Sequence, residues 1–290
     1  MDWQDKIISL YLKISDLYAK TLQYSCERFS NNRNPAFSDE EVMTIYLTGV
    51  IEGQTNVKQI YTHAKSYWLD WFPKLPGYAA FIQRVNRLDS AFAMLIECYQ
   101  SELPVDVYGH GKFRLIDSMP IVMGHQGNRF RAKVAPEIAD KNGYCAAKKL
   151  YYYGVKLHIM GAAQKGSIPI PEYIGITSAG TSDIEAYVQL LPDVSELDKF
   201  ADKAYISQHT KENKTYTPIK KEKGQKYLDA ADQLYSTAIS RIRQPIESFN
   251  NWLQEKTGIQ KASKVRSTKG LMVHIYAKIA AAFQMILDKF

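Results

Sequence analysis

Apolar positions recur at helical spacing through roughly the first hundred residues and then give way to short strand-like runs. Ser38-Asp39-Glu40-Glu41 has the form of a capping box ahead of Val42, Tyr46 and Val50, which predicts a helix start. A second, short helix is predicted after Thr55, and Pro73 and Pro76 punctuate the connection that follows. Phe81, Val85, Leu88, Phe92, Leu95 and Tyr99 then form one apolar stripe. Its polar side carries Gln83, Arg84, Asn86 and Arg87, residue types that reach phosphates and base edges in helix-turn-helix proteins. The solvated side of a plain helical bundle has the same composition, so both readings of this face stand.

From residue 105 the texture changes. Phe113-Arg114-Leu115-Ile116-Asp117 reads as a strand ending in an acid, with Pro120 soon after. Residues 123–149 lack a clear period and carry Arg129, Arg131, Lys133, Lys141, Lys148 and Lys149, the pattern of a long basic loop. Tyr151 to Met160 is a second predicted strand and Tyr173 to Thr177 a third. Ser182-Asp183 opens a helix containing Ile184, Tyr187, Leu190 and Leu191. Lys199 to Tyr205 is a short fourth strand holding Asp202, and Tyr216 to Ile219 a fifth. Helix then runs to about Gly258, interrupted or kinked near Pro245, because proline fits a helix only in its first turn or at a kink. An apolar helix from Leu271 to Phe290 ends the chain. The predicted organisation is an all-helical region over 1–104 and an α/β region over 105–290, with a mixed sheet flanked by helices and basic C-terminal helices.

Composition narrows this reading. At 290 residues, 46% hydrophobic and 23% charged, the chain can bury a full core. A net charge of +7 permits a polyanionic partner. Cys26, Cys98 and Cys145 are odd in number and lack CxxC spacing, so they read as reduced thiols and not as a disulfide framework or zinc site. The N-terminus has no signal pattern and no run approaches a membrane span in length, so the expectation is a cytoplasmic protein.

Candidate chemistry centres on Arg243-Gln244-Pro245-Ile246-Glu247-Ser248-Phe249-Asn250-Asn251-Trp252-Leu253. At about 100° per residue, Arg243, Asn251 and Gln254 lie within roughly 40° of Glu247 on one polar stripe. Acids at the end of the first strand, in the fourth strand and on a late helix form the layout of a ribonuclease-H-like fold. There the first and fourth strands are neighbours, which brings Asp117 towards Asp202 while the helix of Glu247 packs on the same sheet edge. Three converging carboxylates repel one another unless hard cations sit between them. Oxygen ligands suit Mg²⁺ or Mn²⁺, and two such ions about 3.5–4 Å apart serve phosphoryl transfer. Other acids have plainer roles: Asp183 as a helix cap, Glu255 about 80° off the Glu247 face, and Asp193 and Asp198 in turns. His125 and His158 read as hydrogen-bonded structural groups.

The segments LIDSMPI, YYYGVKLHIM, FADKAYIS and RQPIESFNNWLQEKTGIQ, in this order and spacing, resemble the DDE-type transposases of bacterial insertion sequences, in the branch named after insertion sequence 982. FSDEEVMTIYLTGV and the FPKLP region extend the resemblance over most of the chain. It implies a metal-dependent DNA transposase with Asp117, Asp202 and Glu247 as catalytic and metal-binding residues for two Mg²⁺ or Mn²⁺ ions. Arg243 holds the place of the arginine that related enzymes keep beside the glutamate. Ser240 and Gln254 stand where a tyrosine and a lysine are common. Lys256, nine residues past Glu247, lies about 180° around an ideal helix. The expected DNA contacts are Arg243, Gln254, Arg241 and Lys256, with Arg84 and Arg87 from the helical region and Lys148 and Lys149 from the basic loop. The implied partners are the element's terminal inverted repeats and target DNA. A homodimer or larger assembly is expected, because two ends are joined in concert. The implied place of action is a prokaryotic nucleoid. Two alternatives share the fold: a nuclease that cuts without joining, and a domesticated DNA-binding protein without catalysis.

Overall fold

The computed structural model describes residues 2–26, 35–103, 113–146, 148–164, 166–190 and 196–288. The change of texture at residue 105, Leu191 and Asp193 lie outside the described residues. Two compact units emerge: Pro104–Trp252, and a second made of Met1–Leu103 with Leu253–Phe290.

The helical unit starts with α1 (Trp3–Lys20), capped by Asp2. It continues with α2 (Asp39–Ile51), α3 (Val57–Tyr67), α4 (Tyr78–Arg87) and α5 (Asp89–Glu102). The capping box at the head of α2 forms: the Ser38 side chain accepts from the Glu41 amide, and the Glu41 carboxylate from the Ser38 amide. α3 follows Thr55 as expected, capped by Asn56, which accepts from the Gln59 amide. The stripe from Phe81 to Tyr99 is buried at every position but belongs to two helices. It stays continuous across the break because Leu88, at the junction, is itself buried.

The other unit holds a six-stranded sheet: β1 (Phe113–His125), β2 (Asn142–Cys145), β3 (Leu150–Ala162), β4 (Ile170–Ser178), β5 (Asp198–Phe200) and β6 (Thr215–Tyr216). Its order is β2-β3-β1-β5-β6, with β4 paired to β3 beside β2. β1 and β4 run antiparallel to β3, whereas β5 is parallel to β1 and β6 to β5. β1 is longer than the expected strand and passes through Pro120 to His125, which takes the first three residues of the supposed basic loop into the sheet. β2 also forms inside that stretch. Only four residues long, it offers too little alternation to stand out in sequence and is defined by pairing with β3. The helices described in this part of the chain are α6 (Asp183–Leu190), α7 (Gln208–Glu212) and α8 (Ala230–Thr257). α8 runs on through Pro245, where a break or kink was expected. It ends at Gly258, whose φ of 62° suits the left-handed position that closes a helix.

α9 (Thr268–Leu287) belongs to the helical unit and packs against α5, α2 and α4. Contrary to the expectation from sequence, its length and mean hydropathy of 1.5 would suit a membrane span. Yet 72% of that stretch is buried, as in the core helix of a compact unit. Within it Lys278 is fully buried, its Nζ donating to the Thr55 carbonyl at 2.9 Å, and burial lowers its pKa to about 7.

Alternation along the sheet sorts side chains to two faces. Ile116 joins Met160, Tyr187, Ala201 and Tyr205 in a core cluster on the side of α6. Asp117, one residue on, faces the opposite way, and Ser118 returns to the α6 side and donates to Asp183. β1 carries an irregularity between Val122 and Gly124. Across from it Gly154 adopts φ 155°, and a Cβ there would overlap the Ile121 carbonyl oxygen. The neighbour is backbone and cannot swing aside. Gly154→Ala is expected to cost about 2–3 kcal/mol through forced displacement of the strand. Urea unfolding followed by circular dichroism measures it, and an unchanged midpoint would show that the β1–β3 ladder is laxer here than its spacing indicates.

Candidate active site

The β1–β5 register sets the first two acids. Phe113 pairs with Asp198 and Leu115 with Phe200; continued by two residues, the same offset brings Asp202 level with Asp117. Asp202 directly follows Ala201, which points into the core on the α6 side, so alternation turns Asp202 to the other face. Asp202 itself sits outside β5, at the head of the single 3₁₀ turn Lys203–Tyr205.

α8 covers this face and supplies the remaining groups. Ile246, Phe249 and Leu253 are buried, as the helical spacing predicts. Arg243 is 4% exposed, and its guanidinium stands among all three predicted acids. Its Nη2 lies 3.6 Å from Asp117 Oδ1, while Nη1 lies 3.5 Å from Asp202 Oδ1 and 3.4 Å from Glu247 Oε1. Asn250 donates from Nδ2 to the other oxygen of Asp117 at 2.8 Å. Asp202 and Glu247 are about half exposed, whereas Asp117 is only 20% exposed. Burial raises the Asp117 pKa to about 6. The Arg243 charge and the Ser118 backbone amide pull it back down, and the charges of Asp202 and Glu247 push it up.

One guanidinium therefore faces three carboxylates, leaving negative charge in excess. The donor set is all oxygen, hard and anionic, which fits Mg²⁺ or Mn²⁺. As arranged here, with Arg243 between them, the acids form no cluster close enough to ligate one ion among the described residues. Two buried polar atoms at the site lack hydrogen-bond partners among the described residues: Arg243 Nε and Asn250 Oδ1. The acids thus fit the metals by chemistry, and their polar surroundings are incompletely satisfied.

Asn250 is the group that sequence reasoning missed. The stripe drawn through Glu247 selected Asn251, which is exposed. Asn250 is seven residues from Arg243, nearly two full turns, so the face centred on Arg243 would have found it. Asp183 also departs from expectation. Ser182 caps α6 by accepting from the Glu185 amide, while Asp183 accepts from Ser118 and lies 3.2 Å from Lys156 Nζ, behind the acidic face. His158 is buried and bonded to Thr177 Oγ1, and burial lowers its pKa to about 4, in keeping with a structural role.

The expected DNA contacts fall in several environments. Arg241 and Glu247 share an open groove of about 470 Å³ with Lys203 and Lys221. Lys148 and Lys149 are exposed on the turn joining β2 to β3. In the helical unit Arg84 is paired with Asp39 at 2.7 Å and bonded to the Phe37 carbonyl, while Arg87 is exposed in the last turn of α4. Gln254 Oε1 accepts from the Gln260 amide at 2.8 Å, and Lys256 pairs with Glu255.

Since the folded-state pKa of Asp117 lies above the ordinary carboxylate value, the folded protein holds that proton more tightly than the unfolded chain. The resulting stabilisation is full below about pH 4 and is lost as pH rises through about 6. Without metal, wild type should lose up to about 3 kcal/mol relative to Asp117→Asn over this window. Melting curves of both proteins from pH 4 to 7.5 in chelator test this; parallel curves would mean that Arg243 and Asn250 fully compensate the buried charge.

No curated protein and no solved structure matches the chain. The transposase DDE domain family matches residues 109–283, a span that contains β1, the turn after β5 and α8 with their three acids. With more than half of its length matched, the chain belongs to the family of DDE transposases.

Proposed function

We propose that this transposase cuts phosphodiester bonds at the ends of a mobile element and joins the freed 3′-hydroxyl to target DNA. The observation that carries the reading is the convergence of Asp117, Asp202 and Glu247 on one guanidinium. Strand order supports a ribonuclease-H-like fold: an antiparallel trio β4-β3-β1 extended by parallel β5 and β6. Assignment to the insertion sequence 982 branch rests on the sequence motifs alone, and the proposed catalytic region is the chain from residue 105 onward.

In the proposed mechanism Asp117, Asp202 and Glu247 would hold the metals. Mg²⁺ or Mn²⁺ held there would supply activation of the attacking oxygen and stabilisation of the leaving one. Asn250 orients the Asp117 carboxylate through its 2.8 Å hydrogen bond. Arg243 neutralises the acids, and reaching phosphate requires it to turn out of their midst. Lys203, Lys221 and Arg241, in the groove with Glu247, line the path of a DNA backbone. Gln254, Lys256, Arg84, Arg87, Lys148 and Lys149 are proposed as further DNA contacts, with Arg84 required to leave Asp39. The reaction joins two element ends, so the working form is proposed as a homodimer or larger, acting on DNA in a prokaryotic cytoplasm.

The test uses DNA carrying the inverted repeats that flank the gene, with Mg²⁺ or Mn²⁺. Wild type should cleave and join. Asp117→Ala, Asp202→Ala and Glu247→Ala should each lose cleavage by orders of magnitude while DNA binding persists. Cleavage without joining would reduce the protein to a nuclease, and a variant that still cuts at the wild-type rate would remove that residue from the site. Binding should weaken at least about tenfold between 50 and 200 mM salt, since each phosphate contact adds about 0.9 to the logarithmic slope. A flat response would count against an extended DNA interface.

A further inference from the structure

The helical unit contains a cavity of about 800 Å³ that no step of the proposed chemistry uses. It lies between α3, α4, the start of α9 and the loop joining α8 to α9, all inside the same unit. Its size is that of a site for a substantial organic ligand. Among the described residues four cations line it, Lys58, Lys261, Lys264 and Arg266, and no carboxylate does. Three of the four come from the single loop between α8 and α9, where the Arg266 guanidinium is held by the Ser263 and Val265 carbonyls at 2.9 and 2.7 Å. Gly270, in the first turn of the 20-residue helix α9, also lines the cavity, so the positive end of that helix dipole adds to the field.

The walls are aromatic as well as basic. Tyr67 is 68% exposed and Tyr78 37%, and both line the cavity. Each ring is backed by another: Tyr67 by His63 with centroids 4.7 Å apart, Tyr78 by Tyr61 at 5.3 Å. They are therefore held in place before any ligand arrives. Amide groups of Asn56, Gln59 and Asn86 also line it; the oxygens of Asn56 and Gln59 are taken up in capping α3, which leaves the Gln59 NH₂ and the Asn86 amide for a ligand. His274 adds no charge, since burial and the neighbouring Lys278 push its pKa down to about 3.

Aromatic faces, cations and side-chain amides are the three elements that bind a nucleotide outside a base-paired stack: stacking, phosphate neutralisation and base-edge hydrogen bonds. A duplex offers phosphates but keeps its base faces covered. We propose that this cavity takes an unstacked nucleotide of single-stranded DNA, its base against Tyr67 or Tyr78 and its phosphates against Lys58, Lys261, Lys264 and Arg266. The proposal rests on reading the chain as a protein that acts on DNA, and it adds a strand-binding site that the acids do not form.

The experiment uses the full chain in chelator, so that cleavage plays no part. Fluorescence anisotropy compares a single strand with the blunt duplex of the same sequence, and deoxyadenosine monophosphate serves as competitor. The single strand should bind more tightly than the duplex. Tyr67→Ala and Tyr78→Ala should each weaken it by about tenfold, whereas Tyr67→Phe, which keeps the ring, should not. Lys264→Ala with Arg266→Ala should lower the salt slope by about 1.4. Photocrosslinking with 5-iodouracil DNA, followed by peptide mapping, should mark α3 or α4, and melting curves confirm that the variants are folded. Equal binding of strand and duplex, indifference to both alanine variants, or crosslinks confined to other segments would overturn the site. Competition by the mononucleotide as strong as by the strand would overturn it in favour of a small-nucleotide pocket. Cleavage of element ends by the tyrosine variants is measured separately. Normal cutting with no strand bound here removes the cavity alone, whereas loss of all DNA binding and cutting by wild type removes the transposase reading itself.

Discussion

The acidic face depends on one guanidinium. Arg243 is almost wholly removed from water and lies 3.4–3.6 Å from an oxygen of each of three carboxylates. Charges at such distances interact by about 1 kcal/mol in bulk water and about 4 at the effective dielectric of a protein surface. Each pair is therefore attractive, and Asp117, the least exposed, has its pKa raised chiefly by burial, with smaller upward pushes from the charges of Asp202 and Glu247. Removing one partner from a buried ionic group leaves the rest uncompensated. The four side chains consequently act as a unit, and none can be assigned a separate energy without a double-mutant cycle.

Backbone alternation makes that unit possible. In β1 the consecutive residues Ile116, Asp117 and Ser118 serve a core, a polar face and the core side again. Ala201 and Asp202 repeat the division just past the end of β5, and parallel pairing holds β1 and β5 in one register. A slip of one residue would bury the acid and expose the isoleucine. α8 meets this polar face with Arg243, Glu247 and Asn250, spaced by one and nearly two turns, while Ile246, Phe249 and Leu253 are buried.

Much of this was legible in the chain. The helical and sheet regions, the three acids and Arg243 all followed from period, strand-end position and motif order. What escaped was set by pairing or packing. β2 exists only against β3, and the role of Asn250 depends on which residue defines the face of α8. Asp183 looked like a cap because it follows Ser182, but the cap is the serine, and the carboxylate pairs with Lys156 from another strand. The grouping of the C-terminal helix with the N-terminal helices is likewise non-local. Its apolar length fits several surroundings until contacts with α2 and α5 select one.

Pro245 lies two residues after Arg243 and two before Glu247, inside a helix that continues through it. Lacking an amide hydrogen, it cannot close the ladder back to the Arg241 carbonyl. The rung missing from α8 is the one that spans Arg243. A helix deforms most readily where its ladder is open, so the turn bearing the guanidinium is mechanically softer than the turns on either side. In the proposed mechanism, where Arg243 turns from the acids to phosphate, that side chain would be carried by a small flexure of its own turn, with Glu247 and Asn250 left on an intact segment. In engineering language, that mechanism would find the compliance at its moving part and the stiffness at the parts whose alignment it uses.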